Sequence, residues 1–159
     1  MLKGMLPRFL RKEPWLFSVT FGDGRPGSEL LKAGGFNWIG EHARTFAESK
    51  GFPVSRDQGT AELELVELEL DLTSQDVLAE FARLELERPT AEDALRFGER
   101  FPEEQRKRPI AFLHEPWVDP FGGREVLVLR GDKRERGLAL YWYDDRWYRG
   151  VLFAARRRK

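Results

Sequence analysis

The chain has 159 residues, 27 basic and 27 acidic side chains, no cysteine and 41% hydrophobic residues including five Trp and twelve Phe. Such a length favours one domain (residues 1–159) burying ~70% of the surface of its unfolded chain. The absence of cysteine excludes disulfides and thiolate metal sites, and the aromatic content argues against disorder. No apolar run approaches the ~18 residues of a membrane span, so the expectation is a cytoplasmic protein. Arg outnumbers Lys while Asn, Gln, Met and Cys are scarce, a composition resembling that of thermophiles or GC-rich genomes. Charge is uneven. Residues 1–59 carry nine basic and six acidic groups, residues 60–104 four and fourteen, and residues 105–159 fourteen and seven. A basic end can bind nucleic acid. The plainer expectation is that the acidic and basic parts face each other in the fold or simply make a mixed surface.

In chain order, residues 1–12 form a basic segment with Leu2, Met5, Leu6, Phe9 and Leu10 at helical spacing. It reads as a terminal helix laid on its own domain, and less well as a membrane-surface helix. Residues 13–104 form a mixed α/β part. Residues 14–21 (PWLFSVTF) predict a strand and residues 22–27 a turn. Ser28 predicts a cap for a short helix over 29–33. Residues 38–50 predict a helix with Ala43, Phe46 and Ala47 inward and Gly51 as its stop. Residues 62–72 (ELELVELELDL) alternate with period two, with a phase slip at Val66. A β-bulge there would give one buried face and one carboxylate face. Thr73 with Asp76, and Thr90 with Asp93, are spaced as capping boxes for two helices.

Residues 103–108 read as a charged connector, and residues 105–155 as a β-meander. Its strands fall at 110–113, 125–129, 138–143 and 147–153, followed by a basic tail, 156–159. The predicted fold is α+β, a mostly antiparallel sheet with three to four helices packed on one face.

Gly22-Asp23-Gly24-Arg25-Pro26-Gly27 spells G-x-G-x-x-G after a strand. The helix behind it is too short for a dinucleotide site, so it reads as a glycine-rich loop. No cofactor is implied. Glu48-Ser49-Lys50 reads as a helix end. Glu62, Glu64, Glu67 and Glu69 read as solvated carboxylates, although hard oxygens at that spacing suit a divalent cation. A metal site from His114, Glu115 and Asp119 with one distant acid would suit a small metal-assisted hydrolase. The plain reading of His114 is a strand-end histidine with ordinary hydrogen bonds.

The leading candidate is the last pair of strands, LALYWYDDRWYRGVLF. With Asp144-Asp145 at the turn, Trp142 would face Trp147 and Tyr141 would face Tyr148. The indoles would point to the core. Tyr141, Tyr143, Arg146, Tyr148 and Arg149 would form an outer patch, extended by Arg130, Arg134, Arg136 and the tail. Such a patch suits a non-catalytic binding protein whose partner is another protein, a second copy of the chain or a nucleic acid. The stretch Asp144 to Val151 (D-D-R-W-Y-R-G-V) resembles the hairpin of Tudor and related small SH3-like barrels, with Asp145 where that family carries a turn glycine. The resemblance implies a recognition module with an aromatic pocket.

Overall fold

A computed structural model describes residues 15–159. The expectation for residues 1–12 lies outside them. The elements in order are β1 (Trp15–Phe21), α1 (Gly27–Ala33), β2 (Trp38–Ile39), α2 (Glu41–Glu48), β3 (Gly59–Glu67), β4 (Leu72–Thr73), α3 (Ser74–Arg83), β5 (Leu86–Glu87) and α4 (Ala91–Arg100). There follow α5 (Glu104–Lys107), β6 (Ile110–Ala111), β7 (Trp117–Val118), β8 (Arg124–Gly131), β9 (Arg136–Trp142), β10 (Arg146–Trp147) and β11 (Leu152–Arg157). One large sheet runs β1-β3-β11-β6-β8-β9-β2, with β5 on β11 and β7 on β8. Its pairs are antiparallel except β11 with β6 and β2 with β9. The fold is therefore α+β with a mostly antiparallel sheet. Among the described residues, no helix is long and apolar enough to cross a membrane.

The helices cover both faces of this sheet, not one. Leu30 and Leu31 of α1, Phe46 of α2 and Leu95 and Phe97 of α4 pack on Leu63, Leu65, Leu127 and Leu129. Val77 and Phe81 of α3, with Tyr143 and Trp147, pack on Val66, Val126, Val128 and Phe153. Burial on both sides explains the unbroken apolar run Val126–Leu129, since every phase of a strand covered on two faces must be apolar. The same fact corrects the expectation of a bulge at Val66. The register of β3 against β11 runs without a gap from Arg156↔Leu63 through Phe153↔Val66 to Leu152↔Glu67. Leu65 and Val66 serve opposite cores, so the phase slip needs no repair.

Both capping boxes are present. Thr73 accepts from the Asp76 amide at 3.2 Å and Thr90 from the Asp93 amide at 3.1 Å, and each acid returns the bond to the cap's own N–H. The helix expected over 38–50 is shorter. Trp38 and Ile39 pair in parallel with Gly137 and Leu138, and α2 starts only after Gly40.

The predicted closing hairpin does not form. β9 pairs with β8, β10 with β4, and β11 with β3, β5 and β6. The single strand expected over 147–153 is interrupted over residues 148–151, where Gly150 adopts φ +103°, a conformation costly for any residue with a Cβ. The chain thus leaves β9, touches β4 and returns to the middle of the sheet. The barrel-like hairpin suggested by residues 144–151 is replaced by this crossing. Trp147 anchors it by donating its indole N–H to Ser74 Oγ at 2.8 Å, while the Ser74 hydroxyl donates to the Tyr143 carbonyl at 2.7 Å.

The acidic and basic segments meet. Arg156 grips the fully buried Asp93 carboxylate at 2.6 and 2.9 Å. Arg108 pairs with Glu67, and Arg157 and Arg158 lie 3.9 and 3.8 Å from Glu64 and Glu87. Much of the basic tail is therefore matched by acids of the middle segment.

Candidate functional site

Both ends of β9 are chemically distinctive. At its start, Arg136 is buried. Its guanidinium donates to the carbonyls of Pro102 at 2.9 Å, Gly34 at 2.8 Å and Gly98 at 2.7 Å, and to Gln105 Oε1 at 3.0 Å. Arg136 is thus a structural clamp and cannot belong to the surface patch expected of it. Tyr143 is also withdrawn: it is 8% exposed and packs in the second core.

At the far end lies a groove of about 300 Å³ lined by Leu140, Tyr141, Trp142, Asp145, Arg146, Trp147 and Tyr148. Three of the expected residues, Tyr141, Arg146 and Tyr148, share it. Tyr141 stacks on Trp147 with centroids 6.0 Å apart and 7° between planes. Arg130 reaches the Tyr141 hydroxyl. Arg146 donates to the Asp71 carbonyl at 2.9 Å. Arg149 lines a separate cavity with Glu67, Leu70 and Arg108. Arg134 sits on the β8–β9 turn, its amide bonded to Asp132, at the other end of the strands. Trp142, expected in the core, is 51% exposed, and Tyr148 is 73% exposed.

This end of β9 also has an open edge. Asn37 donates to the Arg136 carbonyl at 2.8 Å and Gly40 to the Leu138 carbonyl at 2.9 Å. The peptide groups of residues 136 and 138 therefore point towards β2. Strand period two turns those of Leu140 and Trp142 to the same side, where the Trp142 carbonyl accepts the Asp145 amide at 3.3 Å. β2 stops at Ile39, and among the described residues no strand pairs beyond it along that edge.

The two histidines occupy contrasting places. His114 is buried. Its Nδ1 lies 2.7 Å from the Glu115 carbonyl, which can only accept, so Nδ1 carries the proton. Its Nε2 accepts the Leu127 amide at 3.0 Å. Burial disfavours the imidazolium and pushes the pKa down to about 4. Both ring nitrogens are engaged, and Glu115 is exposed on Arg88 at 2.9 Å. The metal trio read from the sequence, His114, Glu115 and Asp119, is therefore not assembled.

Asp119 joins a different trio. Donor atoms of His42, Asp119 and Glu125 lie within 4.8 Å of one another. His42, in the first turn of α2, places Nδ1 2.9 Å from Glu125 Oε2. Glu125 is buried and flanked on neighbouring strands by Trp117 and Trp142, its register partners. Asp119 sits in the β7–β8 turn, where its Oδ1 accepts the amides of Phe121 at 2.8 Å and Gly123 at 2.9 Å. The bond to Glu125 raises the His42 pKa. Burial raises that of Glu125, against the opposing pull of His42. Burial also pushes Asp119 up, but its amide donors outweigh this and hold it below the usual carboxylate range.

His42 and Glu125 are 83 positions apart, so no local motif joins them. One signal was available: Glu125 stands in phase with Leu127 and Leu129, where an isolated acid calls for a partner. The glycine-rich loop holds no open anion cradle, since Asp23 pairs with Arg96 at 2.8 Å and Arg25 with Glu99 at 3.0 Å. In comparisons with known proteins, no family model, curated protein or solved structure matches the chain.

Proposed function

We propose that this chain is a non-catalytic protein-binding domain that takes an extended segment of a partner protein along the open end of β9. The observation that carries the reading is the groove lined by Leu140, Tyr141, Trp142, Arg146 and Tyr148, with Trp142 and Tyr148 51% and 73% exposed at its margin. The Leu140 peptide group, on the edge beyond β2, supplies backbone hydrogen bonds to an added strand, and neighbouring pockets select its alternate side chains. Exposed aromatic residues are the usual anchors of such contacts. A protein partner fits better than a nucleic acid. Arg136 is buried, and Arg156, Arg157 and Arg158 face acids. Of the basic groups left over, Arg146 and Arg130 meet the groove, each engaged by a neighbour, the Asp71 carbonyl and the Tyr141 hydroxyl. Arg134 and Arg149 lie elsewhere.

Selection of a displayed random peptide library on the full chain tests this. Enriched peptides should carry aromatic or large aliphatic residues at alternate positions and shift the amide resonances of residues 140–148. Affinity should fall at least about tenfold in Trp142→Ala and in Tyr148→Ala. The reading fails if peptides bind both variants as well as the parent. It also fails if the groove instead binds single-stranded nucleic acid with a steep salt dependence.

A further inference from the structure

We propose that His42, Asp119 and Glu125 bind one divalent transition-metal cation, of the zinc or manganese class, at the rim of the sheet. The inference is independent of the peptide groove.

The first argument is the donor set. One imidazole nitrogen and two carboxylates, from α2, the β7–β8 turn and β8, converge within 4.8 Å. Ions of this class sit ~2.0–2.2 Å from such donors, so adjacent ligand atoms stand ~3–3.6 Å apart. The His42–Glu125 contact of 2.9 Å needs to open slightly, and donors up to 4.8 Å apart need to draw in by about 1 Å, to admit an ion.

The second argument is an unmatched charge. Asp119 is 4% exposed, and its Oδ2 is buried with no hydrogen-bond donor. Its other oxygen already takes two amides. A buried carboxylate oxygen without a donor is costly. Beside it stands a second buried carboxyl, that of Glu125, which interacts with Asp119 as well as with the 41% exposed His42 side chain. The adjacent Arg124 is engaged with Asp144. A cation among the three satisfies Oδ2 and removes the repulsion between the acids.

The third argument is how the walls are built. A Cβ on Gly123 would lie 2.5 Å from Asp119 Oδ2 and 2.2 Å from the Trp142 ring. Glycine thus lets the turn close over the carboxylate. The His42 ring stands edge-on to Trp117 with centroids 5.9 Å apart.

The chemistry of the donors selects the class of ion. Imidazole suits borderline transition metals, and three protein donors fall short of the 6–8 oxygens that Ca²⁺ takes. The half-exposed imidazole leaves a solvent-facing side on which water completes the coordination. Binding requires the His42 Nδ1 lone pair, so each ion that enters displaces the proton shared with Glu125.

Isothermal titration of the chelator-stripped full chain with Zn²⁺ and with Mn²⁺ tests the site. One equivalent of at least one ion should bind, with proton release that depends on the buffer. His42→Ala and Asp119→Asn should each weaken binding at least about tenfold. Glu115→Gln, which alters the exposed acid beside the buried histidine, should leave it unchanged. Circular dichroism and urea melts of the metal-free variants, together with the shape-conserving Glu125→Gln, separate lost ligation from lost folding. Absence of saturable binding of both ions by the parent chain overturns the proposal. So does equal affinity in folded His42→Ala and Asp119→Asn.

Discussion

The start and the end of β9 are built from one strand but serve opposite ends. At Arg136 the edge is covered by β2, and each nitrogen of the guanidinium meets an acceptor from a different loop or helix. At Trp142 no strand among the described residues continues β2, the ring is half-exposed, and one oxygen of the nearby Asp119 has no donor. The paired histidines repeat the contrast. His114 lies in the covered part of the sheet with both nitrogens matched by backbone. His42 lies at the rim against Glu125. Polar groups in the closed region hold the fold together, whereas those in the open region are left with capacity for something else.

Mutations should separate the two regions, beginning with the largest effect. Arg136→Met strands several buried carbonyls and should cost about 3–5 kcal/mol in urea denaturation. A loss below about 1 kcal/mol would erase the distinction. His114→Ala removes the acceptor of the Leu127 amide and leaves a void, with an expected loss of about 2–4 kcal/mol at neutral pH.

The same histidine sets a pH signature. Its folded pKa of about 4 lies below the unfolded 6.5. The unfolded chain therefore binds the proton more readily, and stability is lost as pH falls from 6.5 through 4, by up to about 3 kcal/mol. His114→Ala should flatten that acid limb. His42 has the reverse sign. Its folded pKa is raised, so its contribution is full below 6.5 and is lost as pH rises through the folded value. Glu125, also raised from 4.5, has the sign of His42: its contribution is full below 4.5 and is lost as pH rises through its folded value. Trp142→Ala should change stability by no more than about 1 kcal/mol while abolishing most peptide affinity. His42→Ala should have the smallest effect on folding, lowering the urea midpoint at neutral pH only slightly as Glu125 loses its partner, while removing ion binding.

Much of the local structure was legible. Thr73 with Asp76 and Thr90 with Asp93 announced two helices, and both caps exist as spaced. The strand Trp15–Phe21 and the strands near 125–129 and 138–143 follow from β-branched and aromatic content. The path of the last segment was not legible. Period two says which side chains share a face, and not which strand lies alongside. The run LFAARR could pair with a neighbour in sequence or, as it does, enter the middle of the sheet between β3 and β6. Its small alanines, buried on both faces, fit that central place. Three of the anticipated binding residues line one groove, while Tyr143 and Arg136 are drawn into the interior by contacts from distant segments. His42 and Glu125 escaped notice for the same reason: their meeting depends on how α2 crosses β8. Charged residues in phase with buried ones, Glu125 with Leu127 and Arg136 with Leu138, were the available sign of polar sites inside the fold.

The division between closed and open regions is tested most directly by following the two imidazoles by NMR in the full chain. The pH is varied from about 4 to about 8, the window in which histidine changes charge, with and without one equivalent of Zn²⁺. His42 should titrate above its ordinary 6.5 and stop titrating when the ion is added, while His114 should titrate near 4 and ignore it. A His114 resonance that moves with Zn²⁺, or a His42 that titrates at or below 6.5 and is indifferent to the ion, would contradict the account.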